Sequence, residues 1–591
     1  MCGEIRFDAT PVNLSVVERM SGAMMARGPD SCGIVASGRV AFGHRRLSVI
    51  DLSASGAQPM VDSQLGLTLV FNGCIYNYES LRDDLRGAGY SFFSGTDSEV
   101  VIKAFHRWGP RCVERFKGMF AFAIADRDSG VVTLARDRLG IKPLYLSEAP
   151  GRWVRFASTV PALLAAGDVD TNIDRYALHH YMTFHSVVPA PNTMYRGIRK
   201  LPPATVRVIF PDGNYEDDLY WRPVFKRRAE RSSWSAKDWQ HALLEQLRVA
   251  VDRRMVADVP VGVLLSGGID SSLLVALLAE RSQDSLQTFS IGFESAGGEA
   301  GDEFAYSDLI AQTFGTDHHQ ICIDNTRLVP AVVPTIAAMS EPMVSHDCVA
   351  FFLLSQEVSK SVKVVQSGQG ADEILAGYDW YPPLAHVARK EVTNSYAKVF
   401  FDRNHADIAA ILTSDFHLDD DASYEFVAAH QDKPGADSAV DAALRLDTAI
   451  MLVDDPVKRV DNMTMAWGLE ARVPYLDHEF VELAATCPPE LKLASGGKGV
   501  LKEAARQLLP PEIIDRTKGY FPVPKIRHLH GELLELISEA LTNHAARQRG
   551  LYRRDVVAAM LAEPNARRTT LGSNALWQLA VLEMWLQSMP G

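Results

Sequence analysis

Short apolar stretches alternate with turns through the first part of the chain. Up to about Tyr145 these stretches are EIRF, GLTLVFNG, GMFAFAIADRDSG and VVTLARDRLGIKPLYL, and their alternating pattern predicts β-strands. Helical periodicity between them, at Val16 to Met25 and at Ser98 to Trp108, predicts helices that flank the sheets. This part of the chain is therefore predicted to be an α+β domain.

Proline-rich turns predict where this domain closes. The turn residues are Pro189, Pro191, Pro202 and Pro203, and the sequence PDGN after them favours a hairpin. We predict a first domain over residues 1–223, a polar linker over 224–238 and a second domain over 239–591.

The pattern changes after the linker. The buried apolar runs VPVGVLLSG, LQTFSIGF and SVKVVQSG alternate with helical periodicity, which predicts an α/β domain with a doubly wound parallel sheet. From Ser395 onward the pattern is mostly helical. The charged runs at Asp415 to Asp421 and at Arg547 to Arg554 are interpreted as solvated faces.

Composition excludes several classes of protein. Hydrophobic residues make up 47% and charged residues 23% of the 591 positions, which indicates large buried cores rather than a disordered tether. The formal net charge of -13 opposes attraction to phosphate backbones or anionic lipid, so neither nucleic acid nor a membrane is expected as a partner. With no leader pattern and no long apolar span in the sequence, a cytoplasmic location is predicted.

Cys2 differs from the other cysteines because it follows the initiator methionine. Removal of Met1 would give Cys2 a free α-amine, and an amine with an ordinary pKa of about 8 can accept the thiol proton. One hypothesis is an N-terminal nucleophile, and the alternative is an ordinary cysteine that opens a strand.

Further motifs favour the nucleophile. They are ARGPDS at 26–31, GHRRLSVIDLS at 43–53, FNGCIYNY at 71–78, GTDSEV at 95–100 and RDRLGIKPLY at 136–145. In order and spacing they resemble the class II glutamine amidotransferase domain of the glutamine-hydrolysing asparagine synthetase family. The resemblance implies that Cys2 attacks glutamine while Asn72 and the Gly73 N–H stabilise the oxyanion. It also implies that Arg46, or its neighbour Arg45, and Asp97 bind the α-carboxylate and α-ammonium of glutamine.

The N-terminus departs from the family pattern. Relatives carry a few more residues, including another glycine, between Met-Cys-Gly and the strand that begins here at Glu4. This difference predicts a repositioned nucleophile and a weakened glutaminase.

A second set of candidate functional residues lies between a predicted strand and a predicted helix, in VGVLLSGGIDSSLLVALL. Its glycines let backbone N–H groups approach phosphates, Ser266 and Ser271 supply hydroxyl donors, and the helix N-terminus supplies partial positive charge. Asp270 can hold Mg²⁺. The pattern G-x-x-x-x-G-K-[ST] is missing from this loop, which argues against ATPases that release the γ-phosphate.

The motif SGG-x-DS resembles the loop of enzymes that cleave ATP to AMP and pyrophosphate. Other family segments follow in order: TFSIGF at 288–293, QSGQGADEILAGY at 366–378, VDNMTMAWGLEARVPYLD at 460–477 and GGKGVLKEAARQLLP at 496–510. The resemblance implies an ATP site formed by Leu265, Ser266, Gly267, Gly268, Asp270, Ser271, Ile291, Ser367, Gly368, Asp372 and Lys498. Asp270 and Asp372 would hold Mg²⁺, and Lys498 would neutralise charge on the phosphates.

This resemblance covers nearly the whole chain. It implies an α+β N-terminal-nucleophile glutaminase domain with layered αββα order, followed by an α/β doubly wound, pyrophosphatase-type synthetase domain. The implied enzyme is a carbon–nitrogen ligase in which glutamine supplies ammonia, ATP adenylates an acceptor carboxylate, and ammonia crosses an internal passage to displace AMP. Glutamine, ATP, Mg²⁺ and a small carboxylate are the expected ligands, and a homodimer is left open as the assembly.

Two residues bear on the identity of the acceptor carboxylate. Gln369 stands where asparagine synthetases commonly have an acid, and Cys74 stands where glutamate is usual. A carboxamide cannot act as a base, so Gln369 predicts altered acceptor recognition. Together with GADEILAGYDWY these differences resemble the N-acetylglutaminylglutamine amidotransferase subgroup, which implies a dipeptide acceptor and an osmoprotectant product.

Four alternatives stay open. The chain could be an asparagine synthetase that uses aspartate, or an ammonia-dependent synthetase with a weak glutaminase. It could be a ring-closing synthetase of the β-lactam type, although Cys2 and its partner residues argue against that. A silent regulatory relative is opposed by the intact SGG-x-DS loop.

Overall fold

The computed structural model describes residues 1–8, 10–281, 286–294, 301–516, 519, 526 and 528–589. The N-terminal part holds two antiparallel six-stranded sheets within these residues. Their strands are β1 (Cys2–Arg6), β2 (Ser31–Ser37), β3 (Val40–Arg46), β4 (Met60–Asp62), β5 (Leu67–Ile75), β6 (Gly118–Asp126), β7 (Val132–Arg136), β8 (Tyr145–Ala149), β9 (Trp153–Ala157), β10 (Arg199–Lys200), β11 (Thr205–Ile209) and β12 (Tyr215–Leu219). One sheet has the order β10-β8-β9-β1-β3-β2 and the other β12-β11-β7-β6-β5-β4.

The two sheets pack face to face with helices outside them. Apolar residues from both sheets fill the space between, and the rings of Phe42 and Phe156 meet there edge to face at 5.5 Å. The helices are α1 (Leu14–Gly22), α2 (Tyr78–Gly87), α3 (Asp97–Trp108), α4 (Val160–Ala166) and α5 (Arg175–Thr183). Helices α1 and α4 contact the first sheet and α3 contacts the second. The observed layers agree with the predicted αββα order.

The predicted hairpin is the pair β11 and β12. Its strands run antiparallel, and Phe210 N donates to Asn214 O across the PDGN turn at 2.8 Å. A long helix, α6 (Ala236–Arg253), follows, and a capping box of Ser235 and Asp238 fixes its start. The predicted domain boundary near Pro223 falls between these two elements.

The second part of the chain contains a parallel five-stranded sheet among the described residues. Its strands are β13 (Val261–Leu264), β14 (Gln287–Phe293), β15 (Asp317–Ile323), β16 (Val364–Gln366) and β17 (Glu470–Arg472). They lie in the order β15-β14-β13-β16-β17, so the chain leaves the central strand β13 first to one side and later to the other. This order is the doubly wound arrangement that the sequence predicts, and the crevice between β13 and β16 marks its switch point.

Helices cover this sheet and form the rest of the chain. Those between the strands are α7 (Ile269–Ala279), α8 (Phe304–Phe314), α9 (Leu328–Ala337), α10 (Asp347–Val358), α11 (Ala371–Leu375), α12 (Val392–Phe400), α13 (His405–Ile411), α14 (Ala422–Gln431), α15 (Ala439–Leu446) and α16 (Lys458–Met465). After β17 come α17 (His478–Thr486), α18 (Pro489–Leu493), α19 (Gly499–Ala505), α20 (Pro511–Ile514), α21 (Gly531–Thr542), α22 (His544–Arg549), α23 (Arg554–Ala562) and α24 (Ala575–Ser588). Two π-helical turns, Asp447–Met451 and Val453–Val457, join α15 to α16.

The two halves of the chain share buried ion pairs. Lys200 of β10 lies 2.9 Å from Glu341 and 2.8 Å from Asp454, and all three side chains are almost fully buried. Arg27 pairs with Asp461 of α16 at 2.8 Å. Buried charges are tolerated only when they are paired, so these contacts fix how the two halves meet. In the described part of the chain, every helix is too short or too polar to cross a bilayer.

Candidate functional sites

One cavity, of about 70 Å³, opens between the two halves of the chain. The sequence-predicted oxyanion and glutamine-binding residues line it: Arg46 and its alternative Arg45 at the end of β3, Asn72 and Gly73 in β5, and Asp97 at the start of α3. Gly73 has a φ of +152°, and a Cβ atom there would lie 2.1 Å from the carbonyl oxygen of Met119. The close approach of β5 and β6 therefore requires glycine at this position.

Neighbouring groups hold the polar side chains of this cavity in place. The guanidinium of Arg46 donates to the carbonyl oxygens of Ser53 and Ile50, both at 3.1 Å. A carboxylate oxygen of Asp97 accepts from Ile75 N at 3.0 Å. Burial raises the pKa of Asp97 to about 6, so near neutral pH its carboxylate is mostly ionised and can receive an ammonium group.

Cys2 lies outside this cavity. Its thiol is fully buried and donates to the carbonyl oxygens of Gly43 at 3.6 Å and Val17 at 3.8 Å, beneath α1. Among the described residues, those that line the cavity do not include Cys2. Burial raises the pKa of this thiol to about 11, although the neighbouring α-ammonium lowers it. As placed here, Cys2 is separated from the four residues with which the resemblance groups it.

Strand register explains this displacement. Cys2 pairs with Gly43 on one side and Ala157 on the other, and side chains alternate between the faces of a strand. Cys2 therefore faces α1, while Met1 and Ile5 face the space between the sheets. The α-ammonium of Met1 donates to Ser158 Oγ at 3.2 Å, and Asn72 Nδ2 donates to the same oxygen at 3.4 Å. The Met1 amine and the Asn72 amide therefore share one hydrogen-bond acceptor, whereas the Cys2 thiol faces α1.

The second half of the chain supplies residues of this cavity that sequence reasoning did not assign. They are Met465, Glu470 and Arg472, which lie in or near the quoted segment VDNMTMAWGLEARVPYLD. Arg472 Nη2 donates to Cys74 Sγ at 3.6 Å, and Arg472 Nε donates to Glu470 Oε1 at 2.9 Å. The cavity therefore has walls from both halves. The charged residues Glu470 and Arg472 lie close together in the sequence, but only the fold shows that they face this cavity.

A larger cavity, of about 310 Å³, lies at the carboxyl ends of β13, β14 and β16. Every predicted ATP-site residue except Gly267 lines it, and Gln369 lines it as well. Gly267 instead forms the turn behind the loop, with a φ of +72°, and its carbonyl oxygen accepts from Arg516 Nη1 at 3.2 Å. A Cβ atom at Gly267 would lie 2.6 Å from the Cβ of Tyr306, so the turn requires glycine.

The loop before α7 joins a strand to a helix N-terminus, as the sequence predicts. Ser266 N and Ser271 Oγ are 3.2 Å apart, and Gly268 precedes the first turn of α7. Exposed N–H groups at a helix N-terminus attract anions. Gly368 lies against this loop, because a Cβ atom there would come within 3.1 Å of Asp270 Cβ.

Lys498 is the charged centre of the cavity. Its ammonium lies 2.7 Å from Asp270 Oδ2 and 2.8 Å from Asp372 Oδ1, and the residue is 4% exposed. Burial alone would lower the pKa of Lys498, but Asp270 and Asp372 raise it above its ordinary value. Lys498 is therefore charged at any physiological pH.

The two carboxylates fit a magnesium ion. Asp270 and Asp372 converge on one cation, and carboxylate oxygens are the ligands that Mg²⁺ prefers. Gly377 leaves room beside them, because a Cβ atom there would lie 2.0 Å from Asp372 Oδ1.

Charged and aromatic residues that sequence reasoning did not assign line the rest of the cavity. They include Asp347, Tyr378, Arg459 and Arg516. Arg459 lies in the first turn of α16, and its guanidinium is 3.4 Å from the Asp455 carboxylate, whereas Met465 at the other end of the same helix lines the smaller cavity. Helix α16 thus reaches from one cavity to the other.

Comparison with known proteins agrees with these two sites. The family described as glutamine amidotransferase domain matches residues 1–221, and the family described as asparagine synthase matches residues 242–587. Asparagine synthetase [glutamine-hydrolyzing] 1 of Bacillus subtilis is 30% identical, over 96% of this chain and 93% of its own length. Asparagine synthetase [glutamine-hydrolyzing] 3 of the same organism is 30% identical, over 87% of this chain and 84% of its own. Asparagine synthetase B of Escherichia coli is 27% identical, over 88% of this chain and 80% of its own.

Among solved structures, an allosteric regulatory enzyme of purine biosynthesis covers 55% of this chain with 15% identity and a TM-score of 0.31, too low to bear on the fold. The assignment rests instead on the family matches, which together span both halves of the chain. The chain belongs to the glutamine-hydrolysing asparagine synthetase family of carbon–nitrogen ligases.

Proposed function

We propose that this protein uses ATP to adenylate a small carboxylate and converts the adenylate to an amide, releasing AMP and pyrophosphate. The observation that carries this proposal is the larger cavity, where Lys498, Asp270 and Asp372 meet beside the Ser266 to Ser271 loop. Family membership gives the reaction class, and the cavity supplies the groups that this class needs.

Different residues of the larger cavity serve different steps of adenylation. Backbone N–H groups of the loop bind phosphate oxygens, and Ser266 and Ser271 add hydroxyl donors. The acceptor carboxylate attacks the α-phosphorus, and the bond to the pyrophosphate oxygen breaks. The Lys498 ammonium stabilises the charge that develops on the leaving pyrophosphate. Bound Mg²⁺ would neutralise phosphate charge, with Asp270 and Asp372 as its protein ligands.

Ammonia then attacks the acyl carbon, and AMP leaves. The attacking nitrogen loses a proton to the phosphate of the departing AMP or to water, because the carboxamide at position 369 cannot accept one. Gln369 can only donate or accept hydrogen bonds, which suits recognition of a neutral amide or peptide group.

For this reason we propose N-acetylglutaminylglutamine as the acceptor, and its terminal amide, an osmoprotectant, as the product. Gln369 lines the cavity together with Tyr378 and Arg459. A guanidinium such as that of Arg459 pairs well with a carboxylate, and the carboxamide of Gln369 can pair with a peptide group. Aspartate is the alternative acceptor, because the relatives are named asparagine synthetases.

The position of Cys2 favours a second candidate for the nitrogen donor. A thiol that is buried beneath α1 and has a raised pKa is a poor nucleophile. We propose that the chain then uses free ammonia better than glutamine, although Arg46, Asn72, Gly73 and Asp97 line one cavity.

Replacement of Lys498 tests the adenylation site. We expect Lys498→Met to lower the rate of acceptor-dependent pyrophosphate release by roughly 100-fold or more, because the leaving pyrophosphate loses its stabilising charge. Lys237→Met, on the exposed side of α6, is the matched control and should leave the rate unchanged. A folded Lys498→Met protein that releases pyrophosphate at the normal rate would contradict this role.

The acceptor is tested by supplying ATP, Mg²⁺ and ammonium with either the acetylated dipeptide or aspartate. We expect pyrophosphate and an amide product, detected by mass, with the dipeptide only. Gln369→Glu should weaken use of the dipeptide, because a carboxylate repels the acceptor's own charge. Asparagine formed from aspartate, with no dipeptide amide, would overturn the acceptor while leaving the ligase reaction intact.

The nitrogen donor is tested by comparing glutamine with ammonium chloride under the same conditions. We expect ammonium to support amide formation much better than glutamine, and Cys2→Ala to leave the ammonium-dependent rate unchanged, because the thiol lies outside the pocket. If glutamine instead supports equal rates and Cys2→Ala abolishes only those, Cys2 is the nucleophile after all.

A further inference from the structure

A cluster of histidines and one aspartate lies outside both cavities. His179 belongs to α5, His405 begins α13, and Asp421 immediately precedes α14. One ligand atom from each lies within 4.8 Å of the others. His179 Nε2 is 3.0 Å from His405 Nδ1 and 4.0 Å from Asp421 Oδ1. Residues far apart in the sequence therefore point three potential ligands at one place.

The distances suit a transition metal ion. Zinc binds imidazole nitrogen and carboxylate oxygen at about 2.1 Å, so ligand atoms around a tetrahedral ion lie about 3.4 Å apart. The separations of 3.0 Å and 4.0 Å differ from this value by about 0.4 Å and 0.6 Å, and the third separation, between His405 and Asp421, is at most 4.8 Å. Two imidazoles favour zinc or a similar ion over Mg²⁺ or Ca²⁺, which prefer oxygen.

Neighbouring groups orient the ligands as metal sites require. Ser423 Oγ lies 2.7 Å from His179 Nδ1 and 2.9 Å from His180 Nδ1, so the hydroxyl can donate to His180 and accept from His179. When the hydroxyl accepts from His179, the proton of His179 is on Nδ1 and a lone pair is left on Nε2, the atom that faces His405. Asp421 Oδ1 accepts from Tyr424 N at 3.0 Å, which fixes its carboxylate.

His417 supplies an independent observation. Its ring stacks on that of His405 with centroids 5.7 Å apart. Its Nε2 atom is buried and makes no hydrogen bond to any described residue. A buried polar atom without a hydrogen-bond partner is unfavourable, so the polar groups beside His405 are incompletely satisfied. The three converging ligands do not include His417.

The cluster is accessible from solvent. His405 and Asp421 are only half-buried, so an ion can reach the cluster from solvent.

We propose that His179, His405 and Asp421 bind one zinc-class divalent ion that joins the two halves of the chain. His179 lies within the segment that matches the glutamine amidotransferase domain, whereas His405 and Asp421 lie within the segment that matches asparagine synthase. An ion held by all three links α5 to α13 and α14. None of the three lines either cavity, so the ion has a structural role and takes no part in the reaction.

Cobalt binding to the full-length, chelator-treated protein tests this site. The visible d–d bands of Co²⁺ report coordination geometry, and zinc should displace it. We expect one equivalent of Co²⁺ with a tetrahedral or five-coordinate spectrum, and a higher melting temperature when Zn²⁺ is added. His405→Gln and Asp421→Asn should each remove the spectrum and the shift in melting temperature. His405 and Asp421 are half-buried, so both variants are expected to fold, and circular dichroism checks this.

His241→Gln is the matched control, because this exposed histidine on α6 lies apart from the cluster. It should retain the spectrum and the shift in melting temperature. Absence of a stoichiometric spectrum in the parent protein would overturn the proposal. So would a spectrum that persists unchanged in both His405→Gln and Asp421→Asn, because the ion would then be bound elsewhere.

Discussion

The ion pairs of Lys498 with Asp270 and Asp372 hold the synthetase site together. Asp270 comes from the start of α7, Asp372 from α11, and Lys498 from the residue before α19. Lys498 adopts a left-handed backbone conformation, with a φ of 55°, which is unfavourable for a lysine. Its backbone N–H donates to Leu375 O at 3.1 Å, which holds that conformation beside α11. Breaking a buried ion pair by removing one partner costs about 3–5 kcal/mol, so these pairs also order the cavity.

The segment from Lys458 to Arg472 makes the two sites depend on each other. Its first turn, at Arg459, faces the larger cavity, and Met465, Glu470 and Arg472 face the smaller one. Asp461 within it pairs with Arg27 of the first half, so any shift of α16 disturbs both cavities. A ligase that must keep ammonia and an acyl-adenylate from water gains from such a shared wall, because one helix is the shortest route between the sites.

The sequence was sufficient to predict the elements that local pattern controls. The loop at Ser266 to Ser271 and the parallel sheet follow from glycine placement and apolar periodicity, whereas the αββα layers are what the family resemblance implies. The short N-terminus predicts a repositioned Cys2, but not the face that its side chain takes, because that face depends on how the strand pairs with Gly43 and Ala157.

The positions of Gly267 and Asp421 also depend on contacts between distant parts of the chain, which the sequence pattern does not show. Gly267 lies in the predicted loop, yet it supports the turn from behind instead of lining the cavity. Asp421 belongs to a charged run that was interpreted as a solvated face. Its Oδ1 atom nevertheless lies 4.0 Å from Nε2 of His179, a residue 242 positions earlier in the sequence. Contacts of this kind arise only when the two halves pack together.

The central claim is that the cavity around Lys498 forms an acyl-adenylate. The most direct measurement supplies the acceptor with oxygen-18 in its carboxylate and analyses the products of one turnover by mass spectrometry. The account predicts that one labelled oxygen moves from the acceptor to AMP, because the carboxylate oxygen that attacks the α-phosphorus stays on it when ammonia displaces AMP. Label in orthophosphate with ADP as the co-product, or no label in AMP, would contradict it.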